Sequence, residues 1–286
     1  MTSTLATIPE EVDRYIRTGE TDPHYTAWPG SFLERARRAE QDLRGGLVRE
    51  VRRRTAGRPH RPLPQDDLVA LTRRKVEPMV RGLFPRAEQD TVLDMLETSV
   101  VFLTAENIES VLLDQAFEHS AWVLANLYLA SVGADLLGAA VPRVVGLSQA
   151  TTCYVSAEYF GDEEDSFADF VIHECAHTFH NCKRSRLGLV ETRTREWLLD
   201  IAFAKREEFA YACEAYARIV ERAASATERR RLADEYAATI RISDAYADGA
   251  EVARIVQAAV AARNGWKVIL ARCAPPKRFR RSVGGA

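Results

Sequence analysis

The strongest constraint on the fold is one helix-spaced apolar run, NIESVLLDQAFEHSAWVLANLYLASVGADLL, from Asn107 to Leu137. Its apolar residues recur three and four apart, the spacing of a buried helical face. Similar spacing begins at Gln65, is broken near Pro78 and Pro85, and continues through LDMLETSVVFL, residues 93–103. The stretch 65–141 therefore reads as a helical bundle holding most of the apolar mass. Residues 121–141 are its most lipid-like part, but Asn126 and Asp135 lie near the middle. Polar groups there are expensive in hydrocarbon, so a buried helix explains the stretch better than a membrane span.

Before the bundle, residues 1–30 are polar and broken by Pro9, Pro23 and Pro29, and read as a loose lead-in. Residues 31–55 have helical spacing interrupted at Gly45-Gly46, and RPHRPLP (58–64) is a linker whose prolines exclude a regular helix. Behind it the texture changes. Residues 142–148 and 151–160 are rich in β-branched and aromatic side chains and read as two strands, close enough along the chain to pair as a hairpin. The acidic turn GDEEDS (161–166) follows, then a helix over 167–180 and a connector containing Gly188. Further helices are expected over 194–223, 228–247 and 250–263, followed by the apolar run WKVILARC and a basic tail. The expected organisation is an N-terminal segment with linker (1–64), a bundle (65–141), a region of mixed structure (142–274) and a flexible tail (275–286). The fold class is α+β, predominantly helical.

Composition narrows the partners. With 39 basic and 41 acidic residues, the net charge of −2 gives no reason to expect nucleic acid or an anionic membrane. The Arg-rich stretch 35–61 is interleaved with acidic residues and reads as a solvated helix face. Five cysteines, an odd number without a CxxC pair, look like reduced thiols. The N-terminus has acidic residues where a secretion signal needs a cationic start and an apolar run. A cytoplasmic protein is the simplest expectation.

Chemistry concentrates in His173-Glu174-Cys175-Ala176-His177. On a helix, residues four apart share a face, so His173 and His177 can present two imidazoles to one metal ion. Glu174 can reach a water beside that ion instead of the ion itself. Zinc suits such a set, taking four ligands and leaving one place for water. His180 shares the histidine face, but seven residues of helix span about 10 Å, too far for both outer histidines to hold one ion. Glu207, Glu208 and Glu214 on the next helix remain. Glu208 stands alone in an apolar column with Trp197, Ile201, Ala204, Ala215 and Ile219. A lone buried carboxylate is costly unless paired or metal-bound, which favours Glu208 as third ligand, with Glu214 as the alternative. Glu207, Tyr211, Glu214 and Arg218 form a more polar column, open to a solvated reading.

HECAH, followed some thirty residues later by EEFAYACEAY, resembles the gluzincin branch of the zincin metallopeptidases over roughly residues 151–220. The resemblance implies a zincin-like region in which His173, His177 and Glu208 bind Zn2+ and Glu174 is the general base. It implies hydrolysis of a peptide or amide bond by a water that Glu174 activates at the zinc, with an oxyanion donor for which Tyr211 is the nearest candidate, or else Tyr216 or Tyr154. It also implies that the strand around 152–160 pairs with an extended peptide. Several gluzincins carry an Asp four residues after the ligand glutamate; position 212 here is Ala, so support for a ligand histidine falls to Glu214 or Asp200. The HExxHxxGxxH branch does not fit. Two other readings stay open: a zinc hydrolase or tailoring enzyme for a non-peptide small molecule, and a regulatory or binding protein whose site is structural or degenerate.

Other features have plainer readings. Cys175, Cys213 and Cys182 are packing residues, and Asp165 or Ser166 caps the following helix in preference to a calcium site. Lys183, Arg184 and Arg186 suit a helix C-terminus, with an anionic substrate group as the alternative.

Overall fold

A computed structural model describes residues 6–60, 63–64, 67–138, 146–160, 165–193, 195–240, 242 and 246–276. The N-terminal elements are α1 (Ile8–Thr18), α2 (Phe32–Thr55), α3 (Leu68–Leu83), α4 (Arg86–Glu97) and the strand β1 (Val100–Leu103). Then come α5 (Ile108–Leu113), α6 (Glu118–Ser131), β2 (Gly146–Gln149) and β3 (Thr152–Ser156). The rest is helical: α7 (Phe170–Asn181), α8 (Arg206–Arg222), α9 (Ala226–Thr239), α10 (Gly249–Ala261) and α11 (Gly265–Cys273). The protein is thus mostly helical with a small three-stranded sheet.

The chain divides into two compact units. The first comprises Met1–Gln65, Val101–Leu147 and Tyr154–Asp162; the second comprises Asp66–Val100, Ser148–Cys153 and Glu163–Ala286. The stretch expected as one bundle is shared out: α3 and α4 belong to the second unit, α5 and α6 to the first.

In the first unit the expected loose lead-in contains α1. Pro9 sits in the first turn, where its missing N–H costs nothing, and Thr7 and Glu10 form a reciprocal capping box (Thr7 N to Glu10 Oε2 2.7 Å). Gly45-Gly46 does not interrupt α2. A Cβ on Gly46 would lie 2.5 Å from Val12 Cγ1, so this glycine lets α1 and α2 approach closely. Tyr15, Leu43, Leu47, Leu124 and Leu129 are buried in one apolar cluster. Asn126 belongs to this interior: its amide accepts from Leu137 N at 2.8 Å and donates to Trp122 O at 3.1 Å. With 14 residues, α6 is too short to span a bilayer. Among the described residues no helix is long and apolar enough to cross a membrane.

The sheet has the order β1-β3-β2. Residues 150–151 alone join β2 to β3, and so short a link between neighbouring strands makes a hairpin. Of the expected strand 142–148, residues 142–145 lie outside the described residues. The second expected strand stops at Ser156, where a 3₁₀ turn (Ala157–Phe160) packs Tyr159 and Phe160 on Phe102. β1 itself was expected to be helix. Helix α4 ends at Glu97, and the β-branched pair Val100-Val101 continues as strand.

In the second unit α7 packs on α8, and α8 also packs on α10 and α11. The helix expected over 194–223 begins only at Arg206. Residues 182–205 are held instead by cross-links to α7 and α4. Leu199 N bonds Phe179 O (2.8 Å), Leu198 N bonds Cys182 O (3.0 Å), and buried Arg184 pairs with Glu88 (2.6 Å). WKVILARC lies in α11, capped by Asn264, whose Oδ1 accepts from Lys267 N. Asp169 caps α7, accepting from Ile172 N at 3.2 Å; Asp165, expected in that role, accepts from Phe167 N one turn earlier.

Candidate metal centre on α7 and α8

Helix α7 turns the HECAH residues inward: His173, Glu174 and His177 are all buried. Helix α8 lies against it and carries Glu207 in its first turn. The Nε2 atoms of His173 and His177 face one another at 3.2 Å. Glu207 Oε2 stands 3.3 Å from His177 Nε2 and 3.7 Å from His173 Nε2. A tetrahedral ion held about 2.0–2.1 Å from each donor separates its donors by about 3.3 Å. Two imidazole nitrogens and a carboxylate oxygen at these separations fit such an ion, so the three residues form a group that could hold a metal.

Glu214 supports the arrangement. Its Oε2 lies 3.1 Å from His173 Nδ1, and its Oε1 accepts from Asp169 N at 2.7 Å. One carboxylate therefore ties His173 to the cap of its own helix. On the other side of Asp169, Lys75 Nζ stands 3.1 Å from Oδ2. His177 Nδ1 faces His180 Nε2 at 3.4 Å.

The electrostatics reflect this crowding. Burial opposes charge on His173, yet Glu207 and Glu214 together outweigh it and raise its pKa to about 10. Burial likewise opposes ionisation of Glu207, but His173 and His177 hold its carboxyl well below the usual range. Glu174 is raised, chiefly by burial, against the pull of the two histidines. His180 is pushed down to about 3 by burial, then by His177 and Arg206. The carboxylates thus favour positive charge between the imidazoles.

The carboxylate beside the histidines is Glu207, not Glu208. Glu208 is buried as expected, but it is ion-paired with Lys205 at 2.5 Å. A lone carboxylate in an apolar column needs a partner, and the lysine three residues earlier supplies it without any metal. The polar column proves to be the one facing α7: Glu207 and Glu214 contact His173, and the Tyr211 ring packs edge-on against it at 4.6 Å. The signal was legible as residues 207, 211 and 214 on one helical face, opposite a histidine pair. Glu214 takes the supporting role open to it, and Asp200 does not enter the group.

The other tyrosines stand elsewhere. Tyr216 packs edge-on against Trp266 at 4.8 Å, and the Tyr154 hydroxyl meets Gln115 Nε2 at 3.0 Å. The cysteines take no part in the metal group; all five are free and buried. Cys153 Sγ is 3.2 Å from the Thr178 hydroxyl, which fastens the start of β3 to α7. Two of the cations after α7 are engaged, Lys183 with Glu196 at 2.7 Å and Arg184 with Glu88.

Compared with known proteins, the chain matches no family model, no curated protein and no solved structure.

Proposed function

We propose that this protein is a zinc-dependent hydrolase of an amide or peptide bond, with His173, His177 and Glu207 as the metal ligands. The observation that carries the reading is the convergence of these three donors with a buried carboxylate, Glu174, beside them but outside the group. Among the described residues no fourth donor joins, which favours a centre with a vacant coordination position over a closed structural one. The bound ion would act as a Lewis acid toward the substrate carbonyl. Glu174 takes the proton of the attacking water and returns it to the leaving amine; its burial suits that double duty, because burial raises its pKa and so strengthens it as a base. Glu214 fixes the ring of His173. Tyr211, against the same ring, is the candidate donor to the developing oxyanion. A gluzincin-like relationship fits this order of ligands along the chain, with Glu207 in the place of Glu208.

One observation favours a compact, non-peptide amide over an extended peptide as substrate. The strand expected to receive a peptide, β3, is the central strand, so its neighbours β1 and β2 take both its edges.

The test is zinc content with two adjacent variants. The wild-type chain, stripped and reloaded, is expected to bind one zinc; Glu207→Ala loses it and Glu208→Ala keeps it. A wild-type chain without stoichiometric zinc sinks the proposal, and loss of zinc in Glu208→Ala alone sinks this ligand assignment.

A further inference from the structure

The two ligand histidines are held by chemically different partners. A histidine that gives its Nε2 lone pair to a metal carries its proton on Nδ1, and that N–H needs an acceptor to fix the ring. For His173 the acceptor is anionic, Glu214 at 3.1 Å. For His177 the atom facing Nδ1 is His180 Nε2 at 3.4 Å, with the two rings perpendicular and their centroids 5.2 Å apart. His180 is itself 4% exposed, and its Nδ1 has no partner among the described residues.

We propose that His180 is a positioning residue: a neutral imidazole that accepts from His177 Nδ1–H and thereby aims His177 Nε2 at the metal. The inference rests on the metal-centre reading above and extends it by one residue. A histidine kept only for packing would give both nitrogens to ordinary partners or replace them with carbon. Here the acceptor nitrogen is spent on a ligand and the donor nitrogen is left without one. Accepting at Nε2 requires His180 to be the Nδ1–H tautomer, and the fold bears the cost of leaving that buried Nδ1 without a partner among the described residues. Charge explains why the partner is neutral. Glu174, Glu207 and Glu214 already surround the two imidazoles, so a carboxylate at position 180 would add a fourth negative charge within one helical turn of His177.

Imidazole 15N–1H correlation spectra of the zinc-loaded full chain, with zinc competition titrations of two variants, test the proposal. His180 is expected as the Nδ1–H tautomer with an unprotonated Nε2. His180→Phe keeps the bulk and loses the acceptor, and should weaken zinc binding about ten- to hundredfold. His180→Gln offers an amide oxygen near the place of Nε2 and should stay near the wild-type affinity. A His180 protonated on Nε2 overturns the proposal, as does His180→Phe binding zinc like wild type, or His180→Gln as weak as His180→Phe. If a variant does not fold, the tautomer read in the wild-type chain decides. A wild-type chain that binds no zinc removes the metal-centre reading and this one with it; full zinc binding that is indifferent to position 180 removes only this one.

Discussion

The two units bury polar groups in opposite ways. In the first, the buried polar residues are scattered, and several pair singly: Glu11 with Arg14, Arg44 with Glu40, Gln115 with Tyr154, Asn126 with the backbone of Leu137. Around them lies an unbroken apolar cluster built from Tyr15, Leu43, Leu47, Trp122 and Leu124. In the second, His173, Glu174, His177, His180, Glu208 and Glu214 are packed onto two helices, with Glu207 beside them. Only Glu208 among these carboxylates has a lysine partner. Buried charge without full compensation costs stability, so a fold retains such a concentration for something other than stability. The comparison teaches that stability is concentrated in the first unit, and that the polar groups on α7 and α8 are what the proposed metal centre would explain.

The largest expected effect separates activity from stability at Glu174. Burial raises the pKa of this carboxylate, and the pull of His173 and His177 does not offset that cost. Glu174→Gln should lower turnover of an amide substrate by about 10²–10⁴-fold, the usual contribution of a general base. Zinc content should stay intact and denaturant stability should not fall. If the variant is markedly less stable than wild type, Glu174 serves the fold and the contrast between the units is lost.

The reverse pattern is expected in the first unit. Leu47 is fully buried in the apolar cluster. Leu47→Ala should cost about 2–5 kcal/mol of unfolding free energy, the transfer and cavity cost of a large core truncation. The native fraction should bind zinc at the wild-type ratio. Chemical denaturation followed by metal analysis of the folded fraction checks both halves, and zinc loss in folded Leu47→Ala would show that the roles are less separate than drawn.

How much of this was legible in the sequence follows the same division. Periodicity found α2, α6, α7 and α10 because their burial is one-sided or complete, and it found the β2–β3 region from its β-branched residues. It missed α1, because prolines at 9 and 23 looked like breaks although Pro9 sits where a helix tolerates it. It extended α8 through residues 194–205, where cross-links to α4 and α7 override local spacing. At the site, the placing of the two histidines on one helical face followed from spacing alone. Glu208 did not, because the rule that a lone buried carboxylate needs a partner does not say which partner. Lys205, three residues away on the same helix, was the cheaper answer, and only the facing of α8 on α7 could show that Glu207 meets the imidazoles.

The smallest expected effect is a pH dependence in the first unit, at Asp22. Its carboxylate accepts from the Thr26 hydroxyl (2.6 Å), Thr26 N (2.7 Å) and His24 N (2.9 Å), and these bonds lower its pKa to about 2. A depressed carboxylate pKa adds stability that is fully present above the unfolded value of about 3.9 and is lost as pH falls through the folded one. The Tm gap between wild type and Asp22→Ala should therefore be constant from pH 7 to about 5 and narrow between about pH 4 and 2. Asp22 lies at the surface, so solvent screening should hold the stability behind that gap below about 1 kcal/mol. A gap that does not change with acid would mean that the turn at residues 22–26 draws nothing from the charge. The gap should also be the same with and without zinc, since Asp22 belongs to the unit that does not carry the proposed metal group. A zinc-dependent gap would break the comparison from the side of its weakest residue.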